Sequence, residues 1–491
     1  MKRRRLLAGL AGAGLLGTAP WAHAAGSSAG ASAKSGDEPL WDVIVVGAGG
    51  AGLAAAVGAK EWGAERVLLL EKQPTAGGHT MVASGSLNAL VEGFGDSAER
   101  FFDDTFEAGE RKADPELIQR LVEGSRQVLP WFRSLGVAFE DVPYEAYNGS
   151  WPRAWRSVAS HPGFRFISAL MRRFKALGGE VRYGARAEWL LTEDDYDDTR
   201  ITGVRLQGGE EIRGRAVVLA TGGWGANAHL RRRWRPQLTD VYRTTFSPLR
   251  PEEDPATGDG IRMAEAVGAR LRDMDAVMAI PYWGGRVLDY PGAEMFLDDS
   301  GRRFVDETAT WSAIFEKLIE TGASSFWVVT DERSRKGETF AGKFASGVVK
   351  SAPDLASLAR EMGVDVSVLR ETFRQHNAAA LSGEDWAFGR KRFMQTIEQP
   401  PFYFGRERFD IHYCCGGIAI STEAEALSLD GRAIPGLYAA GETAGGVHGR
   451  FRLGGNGLTD AFVFGRIAGE SAASFAARTA REMRTRRPKR A

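Results

Sequence analysis

The segment Trp41–Lys72 leaves little choice of fold. Four apolar residues, Val43–Val46, run straight into Gly47-x-Gly49-x-x-Gly52. An alanine-rich stretch follows, then a second apolar run, Val67–Leu70, that ends in Glu71 and Lys72. Strand, tight turn, helix and strand in this register predict a βαβ unit built around a pyrophosphate. Gly47 permits the turn, Gly49 and Gly50 let the backbone approach phosphate, and Gly52 lets helix and strand pack closely. Unpaired amides at the helix start attract the phosphates, and Glu71 can accept hydrogen bonds from ribose hydroxyls. The chain is expected to hold a redox dinucleotide.

A chain of 491 residues exceeds one compact core, so two or three domains are expected. Its 63 basic and 63 acidic residues cancel, and nothing in that balance asks for nucleic acid. The two cysteines, Cys414 and Cys415, are adjacent and cannot staple distant segments; they form either a vicinal disulfide or two small buried side chains. No cysteine cluster suggests a haem, an iron–sulfur centre or another metal site.

The first 24 residues read as an export signal. Arg3-Arg4-Arg5 precede a weakly apolar stretch, and Ala22-His23-Ala24 supplies an A-x-A cleavage site. Consecutive arginines before such a stretch resemble a twin-arginine signal, which predicts a periplasmic protein that acquires its cofactor before export. The stretch is too short and glycine-rich for a membrane span. Residues 25–38 read as a flexible linker, and residues 478–491 as a basic tail, either a solvated helix end or a contact for anionic lipid.

Helical periodicity dominates residues 96–135 and Phe164–Leu177, the latter stopping at Gly178-Gly179. Short strands are predicted at Val181–Tyr183, Glu188–Leu191, Ile201–Leu206 and Val217–Ala220, the last closing in Thr221-Gly222-Gly223. Residues 271–411 change character, with mixed strands and helices rich in Trp, Phe and Arg. The chain then returns to a short apolar strand ending in Gly441-Glu442, a glycine-rich turn, and a helix over Leu458–Ala476. The fold class is therefore α/β. A nucleotide-binding domain of residues 39–270 and 412–477 is split by an inserted α+β cap of residues 271–411. A cleft at that boundary is the expected substrate site.

Seven further motifs extend the pattern. They are Gly77-Gly78-His79-Thr80 with Ser84–Ala89; Ala220-Thr221-Gly222-Gly223; Gly258-Asp259-Gly260-Ile261; Gly301-x-Arg303-Phe304-Val305-Asp306-Glu307; His412-x-x-x-Gly416-Gly417; Gly441-Glu442 through Gly445-Gly446-Val447-His448-Gly449; and Arg452-Leu453-Gly454-Gly455-Asn456. From about Asp42 to Ala476 the chain resembles the flavoprotein subunits of fumarate reductase and succinate dehydrogenase, most closely soluble periplasmic fumarate reductases and urocanate reductases. The resemblance implies FAD as cofactor on a Rossmann-like, glutathione-reductase-like βαβ domain. It assigns Gly78, His79, Thr80, Thr221, Gly222, Gly441, Glu442, Asn456, Gly457 and Leu458 to the flavin-binding half. Membrane succinate dehydrogenases carry covalent flavin on a His-Thr at this place, so His79 is read either as an 8α-histidyl attachment point or as a hydrogen-bond partner of the flavin.

In the resembling reductases a dicarboxylate is clamped by histidine and arginine while a cap arginine protonates carbon. Fixed cationic donors suit such an anion. His412 and Arg452 match the clamp. Other positions depart from the pattern: the family's His-Pro-Thr is Ile280-Pro281-Tyr282 here, its Thr-Glu pair has no counterpart in Arg286–Tyr290, and the acid arginine falls on Trp311. An indole N–H is no proton donor of that kind, so a standard fumarate reductase is not expected. The pocket should be wider and more aromatic, with Tyr282, Trp283 and Trp311 near the flavin. Tyr282 is a candidate acid or base, or a pocket wall. Arg450 is an extra cation that either holds a second anionic group or faces solvent.

The function these residues imply is oxidation or reduction of a carbon–carbon bond beside a carboxylate or carbonyl of a small, aromatic or aliphatic, organic acid. A separate carrier (quinone, cytochrome or flavoprotein) or oxygen would close the cycle. The alternative is a flavin-binding sensor or electron-transfer protein.

Overall fold

A computed structural model describes residues 40–195, 198–246, 251–282, 284–288, 293–391 and 395–486. The expected signal and linker, Trp283, Asp289–Tyr290 and the end of the basic tail lie outside these residues.

The predicted βαβ unit forms as read: strand Trp41–Val46, helix Gly50–Glu61, strand Val67–Glu71. Both strands are almost wholly buried, as strands covered on two faces must be. They sit centrally in a sheet whose parallel core runs Ala433–Ala439, Glu211–Leu219, Trp41–Val46, Val67–Glu71, Glu180–Tyr183. Val43 lies opposite both Val67 and Ala216, and Leu437 opposite Val217. The late strand Ala433–Ala439 thus joins a sheet begun almost 400 residues earlier. An antiparallel hairpin, Ala187–Asp195 with Asp198–Leu206, extends the sheet from Glu211–Leu219.

Two glycines decide the geometry of the first turn. Gly47 has φ +103, and a Cβ there would meet the Ala220 carbonyl oxygen at 2.3 Å. A Cβ on Gly52 would lie 1.7 Å from the Gly47 oxygen, so strand end and helix touch with no room for a side chain. The long helix Asn456–Arg486 lies against this first helix. Their approach is equally tight, since a Cβ on Gly469 would stand 2.0 Å from the Ala55 oxygen. This helix runs ten residues beyond Ala476, so the start of the expected basic tail is helical. The periodicity at 96–135 resolves into two helices, Ala98–Ala108 and Pro115–Ser134, separated by left-handed Glu110 and Arg111.

A second, antiparallel sheet is ordered Val277–Pro281, Phe402–Cys414, Ser325–Thr330, Met295–Leu297, with Val349–Ala352 also on the long strand. The thirteen-residue strand Phe402–Cys414 carries His412 and Tyr413 near its end, so the boundary expected at 411/412 falls inside one strand. The motif Arg303–Glu307 serves this region's core. Arg303 donates to Glu307 at 2.7 Å and to Asp385 at 2.8 Å, and Arg390 donates to Glu307 at 2.9 Å, all nearly removed from solvent. Buried charges survive only when paired in this way. Cys414 and Cys415 are free, buried thiols, as the second of the two sequence readings has it.

Candidate active site

The parallel strands end at one cavity of about 600 Å³. Val46 and Gly47, Leu70 and Glu71, Ala220 and Thr221, and Ala440 all line it, so the carboxyl ends of four strands converge there. Open α/β sheets bind ligands at this edge. The helix Gly50–Glu61 points its N-terminus at the cavity, and its cap residue Gly49 makes no side-chain capping bond. A Cβ on Gly49 would meet nothing nearer than the Gly77 oxygen at 3.9 Å, so the backbone there borders open space. Glu71 accepts from Ala48 N and Gln73 N, both at 2.8 Å, which fixes a carboxylate that retains lone pairs for hydroxyl donors. This cradle fits a dinucleotide.

Several residues hold the cradle without forming its open face. Thr80 takes the Gly50 amide at 3.2 Å, which removes one N–H from phosphate binding. Lys72 lines the cavity, but its ammonium is spent on Pro255 O, Thr257 Oγ1 and Asp259 Oδ2 at 2.6–2.9 Å. Thr221 Oγ1 accepts from Gly260 N at 3.1 Å, and the Gly222 carbonyl accepts from Thr443 Oγ1 at 3.2 Å. Gly78, Gly457 and Leu458 line the cavity.

Five expected site residues do not line it. Gly52 and Gly441 are used in backbone packing. Asn456 is fully buried and bonds Asn88 and Thr105, so it holds its loop rather than a ligand. Arg450 pairs with Asp275 at 2.5 Å on the surface and does not line the cavity. Trp311 begins the helix Trp311–Glu320 behind Thr310 as cap. Its ring stacks on Tyr147 at 6.0 Å, with the Arg286 guanidinium 4.7 Å from its centroid. The indole is thus packed among side chains beside the cavity and is not part of its wall.

His79 is engaged by carboxylates on both ring nitrogens. Nε2 lies 2.8 Å from Asp254 Oδ1, Nδ1 lies 3.6 Å from Glu442 Oε2, and the ring stacks on Phe246 at 5.0 Å. Burial opposes its charge, but Asp254 and then Glu442 outweigh that and raise the imidazole to about 10. Asp254 is anchored by Thr244 Oγ1 at 2.5 Å and Ala256 N at 2.8 Å, and Glu442 by Cys414 N at 2.9 Å.

Across the same cavity stand His412, Arg452 and Tyr282. His412 Nδ1 lies 2.8 Å from Thr245 Oγ1. Burial first, then the Arg452 charge, then His79, push it down to about 3, so the ring is neutral at ordinary pH. Arg452 is 7% exposed, and its NH1 donates to Leu453 O at 2.9 Å. Tyr282 follows the strand Val277–Pro281 directly. A neutral imidazole and a permanent cation beside a nucleotide cradle can orient a carboxylate, while a phenol can exchange a proton.

Thr244, Thr245, Phe246 and Asp254 were not legible as site residues. They belong to no spaced motif; Thr245 and Phe246 line the cavity next to the bridge from Thr244 to Ile411 of the long strand, and Asp254 stands behind His79. Asp259, also on the cavity wall, had a signal in its Gly-Asp-Gly setting.

A family model described as an FAD binding domain matches residues 42–458. Over 464 residues the chain is 33% identical to a probable fumarate reductase of Shewanella frigidimarina (strain NCIMB 400), which covers 90% of this chain and 76% of that protein. It is 34% identical over 453 residues to the NADH:fumarate oxidoreductase of Klebsiella pneumoniae (strain 342), and there 88% of this chain spans 48% of the relative's length. The fold matches a flavocytochrome c3 fumarate reductase in its open conformation with a TM-score of 0.73 and 32% identity, over 90% of this chain and 79% of that one.

Proposed function

The chain belongs to the FAD-binding-domain family and its cofactor is FAD, and from that premise we propose that it reduces or oxidises a carbon–carbon bond next to the carboxylate or carbonyl of a small organic acid. The observation that carries this reading is the convergence of Arg452, His412 and Tyr282 on the cavity that the glycine cradle opens. Bound FAD supplies hydride-transfer chemistry. Gly49, the helix start and Glu71 would hold its nucleotide part.

The chain's own residues bind and orient. Arg452 receives the carboxylate, and its planar fork fixes the direction from which that carboxylate enters. Neutral His412 adds a hydrogen bond without a second charge; in the tautomer in which Thr245 donates to Nδ1, its Nε2–H is left for the acid. Tyr282 holds the proton that the neighbouring carbon gains in reduction or loses in oxidation. Arg450 stands outside the cavity, and the other cations that line it besides Arg452 (Lys72, Arg186 and His79) are paired with carboxylates, which supports an acid with one carboxylate over the dicarboxylate of a standard fumarate reductase.

Further parts of the reading rest on sequence. The nucleotide-binding halves enclose residues 271–411 as a cap. The arginine-led N-terminal segment supports export to the periplasm, and among the described residues no helix is long and apolar enough to cross a membrane. A quinone, a cytochrome or another flavoprotein supplies the electrons for reduction or takes them up after oxidation, and oxygen serves only as an acceptor in the second case.

The test is an anaerobic titration of purified holoprotein. Dithionite-reduced flavin is mixed with urocanate, aryl acrylates and aliphatic unsaturated acids, and oxidised flavin with their saturated forms. Reoxidation or bleaching by at least one acid, lost in Arg452→Ala, is the expected result. A flavin that exchanges electrons with none of them would favour the sensor or electron-transfer role. The carboxylates flanking His79 support the hydrogen-bonding reading of that residue, because an imidazolium has no lone pair with which to attack a flavin.

A further inference from the structure

Arg452 is held in an unusual way for a buried cation. Its NH1 has a backbone acceptor, its Nε has no protein partner, and among the described residues no carboxylate forms a salt bridge with it. What it does have is surface. Its guanidinium carbon lies 5.1 Å from the centroid of the Tyr413 ring. On Gly457, a Cβ would meet Arg452 Nε at 3.2 Å, Cδ at 3.3 Å and Cζ at 3.4 Å, so the side chain rests directly on bare backbone. A ring face attracts a cation without neutralising it, whereas a carboxylate would compete with the anion the arginine is meant to bind.

Tyr413 is itself pinned. Its hydroxyl donates to Asp460 Oδ2 at 3.0 Å, and His448 Nε2 reaches the same oxygen at 3.2 Å. The His448 ring meets the Tyr413 ring edge-on, 5.4 Å apart at 80°. All three side chains are buried, and they come from the end of the long strand, the glycine-rich loop and the C-terminal helix. Burial, then the neighbouring Asp460, push the phenol well above its ordinary value, so it stays neutral and its hydrogen bond stays made.

We propose that Tyr413, locked by Asp460 and His448, is a positioning residue that together with Gly457 aims Arg452 into the cavity as an unneutralised carboxylate receptor. This rests on the reading of Arg452 as the carboxylate clamp. Tyr413 acts through the arginine; its hydroxyl is committed to Asp460.

The experiment uses FAD-loaded protein and three unreactive carboxylates, acetate, benzoate and malonate, titrated against the flavin absorbance. Tyr413→Leu and Gly457→Ala should weaken the tightest of them about tenfold. Tyr413→Phe keeps the ring and should recover most of that affinity. With a turned-over acid Tyr413→Leu should raise KM by a similar factor and lower kcat by much less, a split that loss of fold would not produce. Wild-type affinity in Tyr413→Leu and Gly457→Ala, with affinity lost in Arg452→Lys, overturns the positioning role and leaves the clamp standing. If none of the carboxylates perturbs the wild-type flavin, and Arg452→Ala leaves turnover unchanged, the clamp falls and the positioning role with it. Should Tyr413→Leu fail to retain FAD, Gly457→Ala decides, with Tyr413→Phe as the ring-retaining control.

Discussion

Replacing Arg452 by alanine should weaken carboxylate binding by an amount and with a pH signature that the site fixes together. A hydrogen bond to a charged partner contributes about 1.5–3 kcal/mol, so affinity should fall by a factor of about 10 to 150. The pH signature comes from His412. Burial, then Arg452, then His79 hold it at about 3, and His79 itself sits at about 10. Neither ring changes charge between pH 5 and 8, so wild-type affinity should be flat across that window. Deleting Arg452 removes the second of the three causes, and His412 should titrate higher than before while burial keeps it below the usual 6.5. Protonated His412 is a cation and favours an anion, so binding to the variant should strengthen as pH falls, while wild-type binding does not. The assay is an anaerobic titration of the oxidised holoprotein with benzoate, a single anion across this range, at pH 5, 6.5 and 8, followed through the flavin absorbance. Equal dissociation constants for wild type and variant would refute the clamp. A tenfold loss of wild-type affinity between pH 5 and 8 would assign the anion to a titrating group instead.

Tyr282→Phe should lower kcat by about two to four orders of magnitude and leave carboxylate affinity near wild type; unchanged kcat reduces Tyr282 to a wall. Acid precipitation of the holoprotein should give a colourless pellet and a yellow supernatant, since His79 is protonated between two carboxylates, and a yellow pellet would show that His79 attacked the flavin. Gly52→Ala forces a Cβ to within 1.7 Å of the Gly47 oxygen; overpacking of this kind costs about 1–3 kcal/mol or more, so the melting temperature and FAD content should both drop. A variant that melts and binds FAD like wild type would mean the helix can slide away from the strand.

What the sequence made legible was local. The turn at Gly47, the helix after it and the carboxylate of Glu71 are encoded within thirty residues, where strand, glycine spacing and apolar runs agree. His412 and Arg452 were readable because each stands in a glycine-marked motif. The rest of the site depends on contacts between distant segments. Thr245 meets His412 across 167 positions. Asp254 meets His79 across 175. Tyr413 sits beside a residue that was noticed, yet its role comes from Asp460, 47 positions on. Position-by-position matching put Trp311 near the flavin, where it does not line the cavity, and left Arg450 open between a second anionic group and solvent. The first packs on Tyr147 and Phe409 at a helix start that Thr310 caps, and the second has a surface partner in Asp275 that no spacing could reveal.

The strand Phe402–Cys414 is hydrogen-bonded along its length within the antiparallel sheet, whereas Arg452 rides on the loop that leads into the C-terminal helix. The two halves of the proposed carboxylate grip therefore sit on different elements, and Tyr413, the residue after His412, joins them through Asp460 of the C-terminal helix. A shift of the strand's end against that helix would have to break the Tyr413–Asp460 hydrogen bond, so the imidazole and the guanidinium keep one fixed spacing.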